Sequence, residues 1–326
     1  MKRGMKRTLT TFLAAAMVFG LAACNGSKEE TAKPAGGSKD EVVVGMSFPF
    51  ADHGWMGAVI QYAEDEAKAQ GVTFQMTTAD SVGKQANDVE DLITKKPDAI
   101  VMLPMETEAL TPAATNVKDA GIPLVVFDRE VANDAYTALI KGDNVGIGEN
   151  AANYIGEKLG GKGNVVMISA PPSSVNTQRK DGFTSVMKEK YPDINILGDQ
   201  NGGFTKEKGY EVMQNFLTAN KQIDAVYTMD DEMALGALKA IEEAGRTDIK
   251  IVTGAGGNKE FYKLIKEHKN IELATFTYSP LMVKEAVKTA VDLAKGQEVA
   301  QKDTTLEAEK VDKENVDSYY KEDAAY

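Results

Sequence analysis

Ala99 to Arg129 reads AIVMLPMETEALTPAATNVKDAGIPLVVFDR, and this stretch decides the fold. Ala99–Leu103 and Leu124–Phe127 are short, unbroken apolar runs, the pattern of strands buried on both faces. Between them lies an amphipathic stretch, Leu110–Ala120, opened by Thr107-Glu108 and stopped by the breaker Gly121-Ile122-Pro123. Strand, helix and strand in that order make a βαβ unit, and such units build parallel sheets covered by helices.

The same alternation extends in both directions. Further strand-like runs occur at Val42–Met46, Thr73–Thr77, Asn164–Ser169, Ala225–Thr228, Ile249–Thr253 and Leu273–Phe276. Helix-like stretches separate them at Met56–Gln70, Gln85–Lys95, Ile147–Leu159, Thr177–Lys190, Lys206–Ala219, Met233–Glu243, Lys259–Glu267 and Leu281–Ala294. Gly71, Gly160-Gly161 and Gly245 stand where helices should stop, and Thr205-Lys206-Glu207 where one should start. Val42–Phe127 and Asn164–Thr253 share one rhythm, so the expected architecture is α/β, with two doubly wound parallel-sheet lobes. In such sheets a ligand sits just beyond the carboxyl ends of the strands.

The beginning of the chain has another character. Lys2, Arg3, Lys6 and Arg7 form a basic head without an acid, and Thr8–Gly20 is mostly apolar but too short to span a membrane as a mature helix. Leu21-Ala22-Ala23-Cys24 follows: small residues before the only cysteine, as a lipoprotein signal peptidase requires once the thiol is acylated. Residues 1–23 are therefore expected to be a lipoprotein signal peptide and Cys24 the lipid attachment. Residues 24–41, rich in Gly, Ser, Lys, Glu and Ala, read as a flexible tether. The body would then be extracytoplasmic, anchored to the cell membrane by its N-terminal lipid. One cysteine closes no internal disulfide, so stability falls to the core. Asp and Glu number 49 against 37 Lys and Arg, a net charge of −12, which repels nucleic acid and anionic lipid alike.

Enzymatic signatures are absent from the pattern. Gly254-Ala255-Gly256-Gly257-Asn258-Lys259 follows a strand and opens a helix like a dinucleotide loop, but lacks the third glycine and a clear acidic partner. Gly146-Ile147-Gly148-Glu149-Asn150-Ala151 fits only a looser form and does not follow the first strand of a βαβ unit. The two histidines, His53 and His268, lie in no metal-ligand motif and make a Ser-His-Asp triad barely possible. Asp199-Gln200-Asn201-Gly202 begins like a calcium loop but meets Phe204 where glycine is needed and Tyr210 where glutamate should close it. It reads as a loop leading to a pocket in the second lobe. No enzymatic activity, cofactor or metal is expected.

Four segments carry a resemblance: Val125-Val126-Phe127-Asp128-Arg129, Gly142-Asp143-Asn144, Arg179-Lys180-Asp181-Gly182-Phe183 and Asp230-Asp231-Glu232-Met233-Ala234-Leu235-Gly236-Ala237. In that order they make the chain, from about Val42 to Val311, resemble the ribose/galactose-type periplasmic binding proteins, the substrate-capturing subunits of ABC sugar importers. The resemblance implies the type I fold, two lobes joined by a three-strand hinge. The N-terminal lobe would be 40–143 plus 279–303 and the C-terminal lobe 144–278 plus 304–326, with crossings near Asp143-Asn144, Tyr278-Ser279 and Asp303-Thr304. It further implies a monomer that captures a monosaccharide or related polyol or cyclitol and delivers it to a membrane permease with its ATPase. The same fold passing its ligand to a membrane chemoreceptor or sensor, or binding a non-sugar solute, is the alternative.

A sugar offers hydroxyls that donate and accept and flat patches of C–H, which planar polar groups and aromatic faces match. By resemblance, Asp128 and Arg129 hold neighbouring hydroxyls from the first lobe, the alternative being a structural ion pair or helix cap. Trp55, the only tryptophan, lies in Ala51-Asp52-His53-Gly54-Trp55-Met56-Gly57, read as an exposed loop, and would stack on the sugar. His53 either contacts the solute or caps the following helix. By the same resemblance, Arg179 and a second stacking aromatic, Phe204, would come from the other lobe. Asp230 stands where relatives commonly have asparagine, and either favours a donor-rich ligand or pairs with Arg179. Two positions depart from the ribose pattern: Gly254-Ala255-Gly256-Gly257 replaces a loop bearing an aspartate, and Tyr278 replaces a hinge-side glutamine. These changes count against ribose itself, and a hexose, a different pentose, a polyol or a cyclitol is compatible.

Overall fold

The computed structural model describes residues 41–326; the basic head, the apolar run, Cys24 and all of the tether but Glu41 lie outside the described residues. The first elements are β1 (Val43–Pro49), α1 (Gly54–Ala69), β2 (Thr73–Ala79), α2 (Val82–Lys95), β3 (Ala99–Met102), α3 (Thr107–Asp119), β4 (Leu124–Phe127) and β5 (Ala138–Gly142). Then come α4 (Asn144–Lys158), β6 (Lys162–Ser169), α5 (Ser174–Lys190), β7 (Asp193–Asn201), α6 (Lys206–Ala219), β8 (Ala225–Thr228), α7 (Asp231–Glu243), β9 (Ile251–Thr253), α8 (Lys259–Glu267) and β10 (Glu272–Phe276). The chain finishes its described course with α9 (Met282–Ala294), β11 (Asp303–Leu306), β12 (Lys310–Val311) and α10 (Val316–Tyr319). Among the described residues no helix is long and apolar enough to cross a membrane.

Two six-stranded sheets result, in the orders β11-β5-β4-β3-β1-β2 and β12-β10-β9-β8-β6-β7. All strand pairs are parallel except that of β12 with β10. In the first sheet, β3 and β4 are buried along their whole length, as their unbroken apolar sequence requires. Val101, Val125 and Phe127 belong to the core beneath α1 and α9, whereas Ile100, Met102 and Val126 pack with Val89, Leu92, Leu110 and Val117 of α2 and α3. Successive side chains thus fill both faces, each large one contributing about 1.5–3 kcal/mol by burial. In the second lobe α4 and α5 touch backbone to backbone. A Cβ on Gly148 would fall 2.1 Å from the carbonyl of Arg179, and one on Gly182 2.4 Å from that of Val145.

The chain passes between the sheets after β5, after β10 and after β11. The third passage departs from the expected Asp303-Thr304. Thr304, Thr305 and Leu306 pair with Ile140, Lys141 and Gly142 in the first sheet, so the passage falls at 307–309. This edge strand is too polar to announce itself as an apolar run. β7, an exposed edge strand, includes Asp199, Gln200 and Asn201, which the sequence presented as a loop. At α3 the N-cap is Glu106 rather than Thr107, whose hydroxyl instead accepts from Ser174 N at 3.1 Å in the other lobe.

Candidate ligand-binding site

The segments that follow β1, β4, β6, β7, β8, β9 and β10 meet at one small cavity. Its walls bring together all eight residues singled out in the sequence: His53, Trp55, Asp128, Arg129, Arg179, Phe204, Asp230 and Tyr278. Val175, Ala255 and Gly256 complete the lining.

From the first lobe, Asp128 takes a φ of 66° directly after β4, with its amide tied to Ile140 O at 2.9 Å. Aspartate is among the few residues that visit this region without large cost. Its Oδ1 accepts from Tyr278 Oη at 2.5 Å, and Oδ2 lies 3.6 Å from Arg129 Nε. Burial pushes the carboxyl pKa up, against the opposing pull of Arg129. Arg129 Nη1 donates to Met105 O at 2.7 Å, while Nε is buried without a hydrogen-bond partner. The Met105 turn is itself fixed by Gln85, which donates to Leu103 O at 2.7 Å and accepts from Met105 N at 2.8 Å. A buried glutamine thus sets one edge of the guanidinium and leaves its Nε unsatisfied, a donor with a cost until it finds an acceptor.

Trp55 sits in the first turn of α1 rather than in an exposed loop, with 6% of its surface exposed. Its indole Nε1 donates to Tyr278 O at 2.8 Å, and its ring stacks on Phe127 at 6.3 Å and leans on Tyr278 at 5.8 Å. His53 occupies the N-cap position of α1 but its side chain caps nothing. Nδ1 pairs with Asp52 Oδ1 at 2.5 Å, which holds the Asp52 carboxyl below its ordinary value, and the ring stacks across the seam on Phe204 at 5.8 Å.

From the second lobe, Phe204 has a φ of 60° and also carries Arg129 over its ring at 5.8 Å. Arg179 does not pair with Asp230. Its Nε donates to Asn144 Oδ1 at 2.8 Å, Nη1 donates to Met229 O, and its guanidinium lies 4.4 Å above the Tyr278 ring. Asp230 is the N-cap of α7, Oδ1 accepting from Glu232 N at 2.7 Å and Met233 N at 3.1 Å. Burial, reinforced by the charge of Asp231, pushes its pKa up to about 7. The neighbouring Gly254–Asn258 loop does present amides to an anion, but the anion is internal: Asp231 Oδ2 accepts from Gly257 N at 2.7 Å and Asn258 N at 2.8 Å. A dinucleotide phosphate has no place there.

Several participants escaped the sequence reading. Val175 is apolar wall, indistinguishable in sequence from core. Asn144, within the Gly142-Asp143-Asn144 segment, joins Arg179 to Tyr278 Oη, the latter at 3.3 Å. Glu232 reaches across the seam, its Oε1 accepting from Gly54 N at 2.8 Å.

Two parallel-sheet lobes enclosing a small cavity lined by charged and aromatic side chains from both sides define a bilobal solute-binding protein of the type I periplasmic fold. A family model described as a periplasmic binding protein domain matches residues 44–298, and the chain belongs to that family. It is 33% identical over 299 residues to the ribose import binding protein of Bacillus subtilis (strain 168), covering 90% of this chain and 95% of that protein. A solved ABC transporter solute binding protein from Bacillus halodurans C-125 with bound myo-inositol is 26% identical with a TM-score of 0.81, covering 88% of this chain and 98% of that one. Another, from Actinobacillus succinogenes 130z with bound D-allose, is 27% identical with a TM-score of 0.77, covering 86% and 100%.

Proposed function

We propose that this chain is the extracytoplasmic solute-binding lipoprotein of an ABC importer, capturing a monosaccharide, polyol or cyclitol between its lobes for delivery to a membrane permease. The observation that carries this reading is the convergence of Asp128, Arg129 and Trp55 from one lobe with Arg179, Phe204 and Asp230 from the other on a single cavity. Contacts made to both lobes at once exist only when the lobes are together, so a ligand lowers the free energy of the closed form relative to the open one. A micromolar affinity needs about 8 kcal/mol net, within reach of several charge-assisted hydrogen bonds and one stacked face. The ribose import relative and the complexes with D-allose and myo-inositol support a sugar-like ligand. Ala255 and Tyr278, in place of a carboxylate and an amide, favour a sugar, polyol or cyclitol other than ribose. The protein binds and releases without covalent chemistry.

A thermal-shift screen of the protein produced without residues 1–23, against ribose, D-allose, xylitol and myo-inositol, tests the reading. One member should raise Tm by about 5 °C or more at saturating concentration, as ligand linkage dictates. No response to any of them, with a clear shift from a nucleoside or an amino acid, would sink the sugar assignment. Anchoring through Cys24 is tested separately in cells. Labelling with palmitate should mark the wild-type protein and not Cys24→Ser, and label retained by that variant contradicts a lipid anchor at Cys24.

A further inference from the structure

Residues 321–326 run across the seam behind the ligand cavity and are tied to both lobes. Lys259 Nζ, at the start of α8, donates to Glu322 O at 3.0 Å and Ala324 O at 2.9 Å. Ala325 N donates to Tyr62 Oη on α1 of the first lobe at 3.2 Å. Tyr326 then buries its side chain between the lobes, with 7% of its surface exposed. One glycine from each lobe makes room for it: a Cβ on Gly256 would lie 2.9 Å from Tyr326 Oη, and one on Gly54 3.4 Å from its ring. Oη stands 3.5 Å from Asp230 Oδ2, the carboxyl oxygen left over once Oδ1 has capped α7. Gly256 lines the ligand cavity and also a second cavity, walled by Tyr62, Tyr262, Tyr319 and Tyr326. Tyr326 lines the second cavity and not the first, with Gly256, common to both, against its hydroxyl.

We propose that Tyr326 is a positioning residue of the ligand site: its hydroxyl orients the Asp230 carboxyl, and its ring seals the rear wall of the cavity as the lobes close. The inference rests on the sugar-capture reading and extends it to a segment beyond the four ligand-site motifs. The buried tyrosine hydroxyl accepts from the Asn258 side chain and turns its own proton toward Asp230 Oδ2, and a carboxyl with one oxygen engaged by two amides still turns unless the other oxygen is held. Removing the ring opens the ligand cavity to water from behind. The groups facing Asp230 are Asp231 and Glu232 of α7, His53 before α1, and Tyr326 itself.

Trp55, the only tryptophan and a wall of the cavity, provides the reporter. Fluorescence titrations of wild type, Tyr326→Phe and Tyr326→Ala with the panel sugar giving the largest thermal shift should be run from about pH 5.5 to about pH 8.5, around the range where a buried carboxyl of this kind titrates. Tyr326→Phe should bind about fivefold more weakly, the loss of one hydrogen bond, and Tyr326→Ala more weakly still. In Tyr326→Ala, water reaching Asp230 should also move the midpoint of the affinity–pH profile downward, which a merely structural role would not do. Coincident wild-type and Tyr326→Ala profiles overturn the inference while leaving sugar capture intact. Should Tyr326→Ala fail to fold, Tyr326→Phe decides alone, and an affinity within twofold of wild type overturns it. A wild type silent to the whole panel but shifted by a nucleoside or an amino acid overturns the sugar-capture reading on which it rests.

Discussion

Tyr278 stands where the lobes meet, and each of its polar atoms is committed. Oη donates to Asp128 and accepts from Asn144, the carbonyl accepts from Trp55, and the amide donates to Gly256 O at 3.2 Å. Its ring lies beneath Arg179 and so close to Gly142 that a Cβ there would sit 2.2 Å from it. One side chain therefore ties the carboxylate of the first lobe to the guanidinium of the second. Tyr278→Phe keeps the ring and strips Asp128 of its 2.5 Å donor. A hydrogen bond to a charged group contributes about 1.5–3 kcal/mol, so ligand affinity should fall roughly tenfold or more with Tm of the ligand-free protein little changed. Calorimetric titration giving an affinity within twofold of wild type would show that Asp128 is oriented by other means. The charged and aromatic wall residues were legible in sequence because they directly follow apolar strands or fall within recognised segments. Their partners were not: Trp55 meets the Tyr278 carbonyl across 223 positions of sequence, and nothing local distinguishes a buried indole from an exposed one.

At the scale of elements, the helices were read correctly along their amphipathic length and missed at their first turns. α1 begins at Gly54, α4 at Asn144, α5 at Ser174 and α7 at Asp231, each two or three residues ahead of the amphipathic stretch that announced it. Those turns face the cavity or the opposite lobe, so their residues answer to the seam rather than to a 3.6-residue period. α1 shows the consequence. It has no acid in its first turn and no capping bond from His53; its N-terminal amide of Gly54 is met by Glu232 from α7 of the other lobe. A carboxylate at a helix N-terminus is favourable, and here it is supplied only when the lobes are together. Glu232→Ala should weaken ligand binding about three- to tenfold through loss of that closure contact, with the ligand-free Tm nearly unchanged; unaltered affinity would mean that the bond does not serve closure. Gly182→Ala tests the lobe's interior instead. Its new Cβ meets the Val145 carbonyl at 2.4 Å, which should cost about 1–3 kcal/mol of stability and displace α5 with Arg179 on it.

For the whole molecule, closure gathers acids. Asp128 and Asp230 line the cavity, and Asp231 lies just behind it, all three with pKa raised first by burial, Asp230 to about 7 and Asp231 to about 6. A carboxyl whose folded pKa lies above its ordinary 3.8 holds its proton longer when folded than when unfolded. The stability it contributes is complete below about pH 4 and is lost as pH rises through the folded value. Asp248 runs the other way: its bond to Arg246 holds it down at about 2, so its contribution is present above 3.8 and lost in acid. Together these place the stability maximum near pH 4, below which Asp248 loses its contribution and above which the raised acids lose theirs. Tm of the sugar-bound protein should therefore fall by roughly 5 °C between about pH 5 and about pH 8. The fall should be shallower without sugar, because opening the cleft returns Asp128 and Asp230 to water while Asp231 stays within its lobe, held by Thr275, Gly257 and Asn258. Asp230→Asn should remove about half of the difference between the two slopes. A liganded Tm that is flat or rises over this range would mean that the cavity carboxyls remain ionised when the lobes close, and that proton uptake is no part of capture.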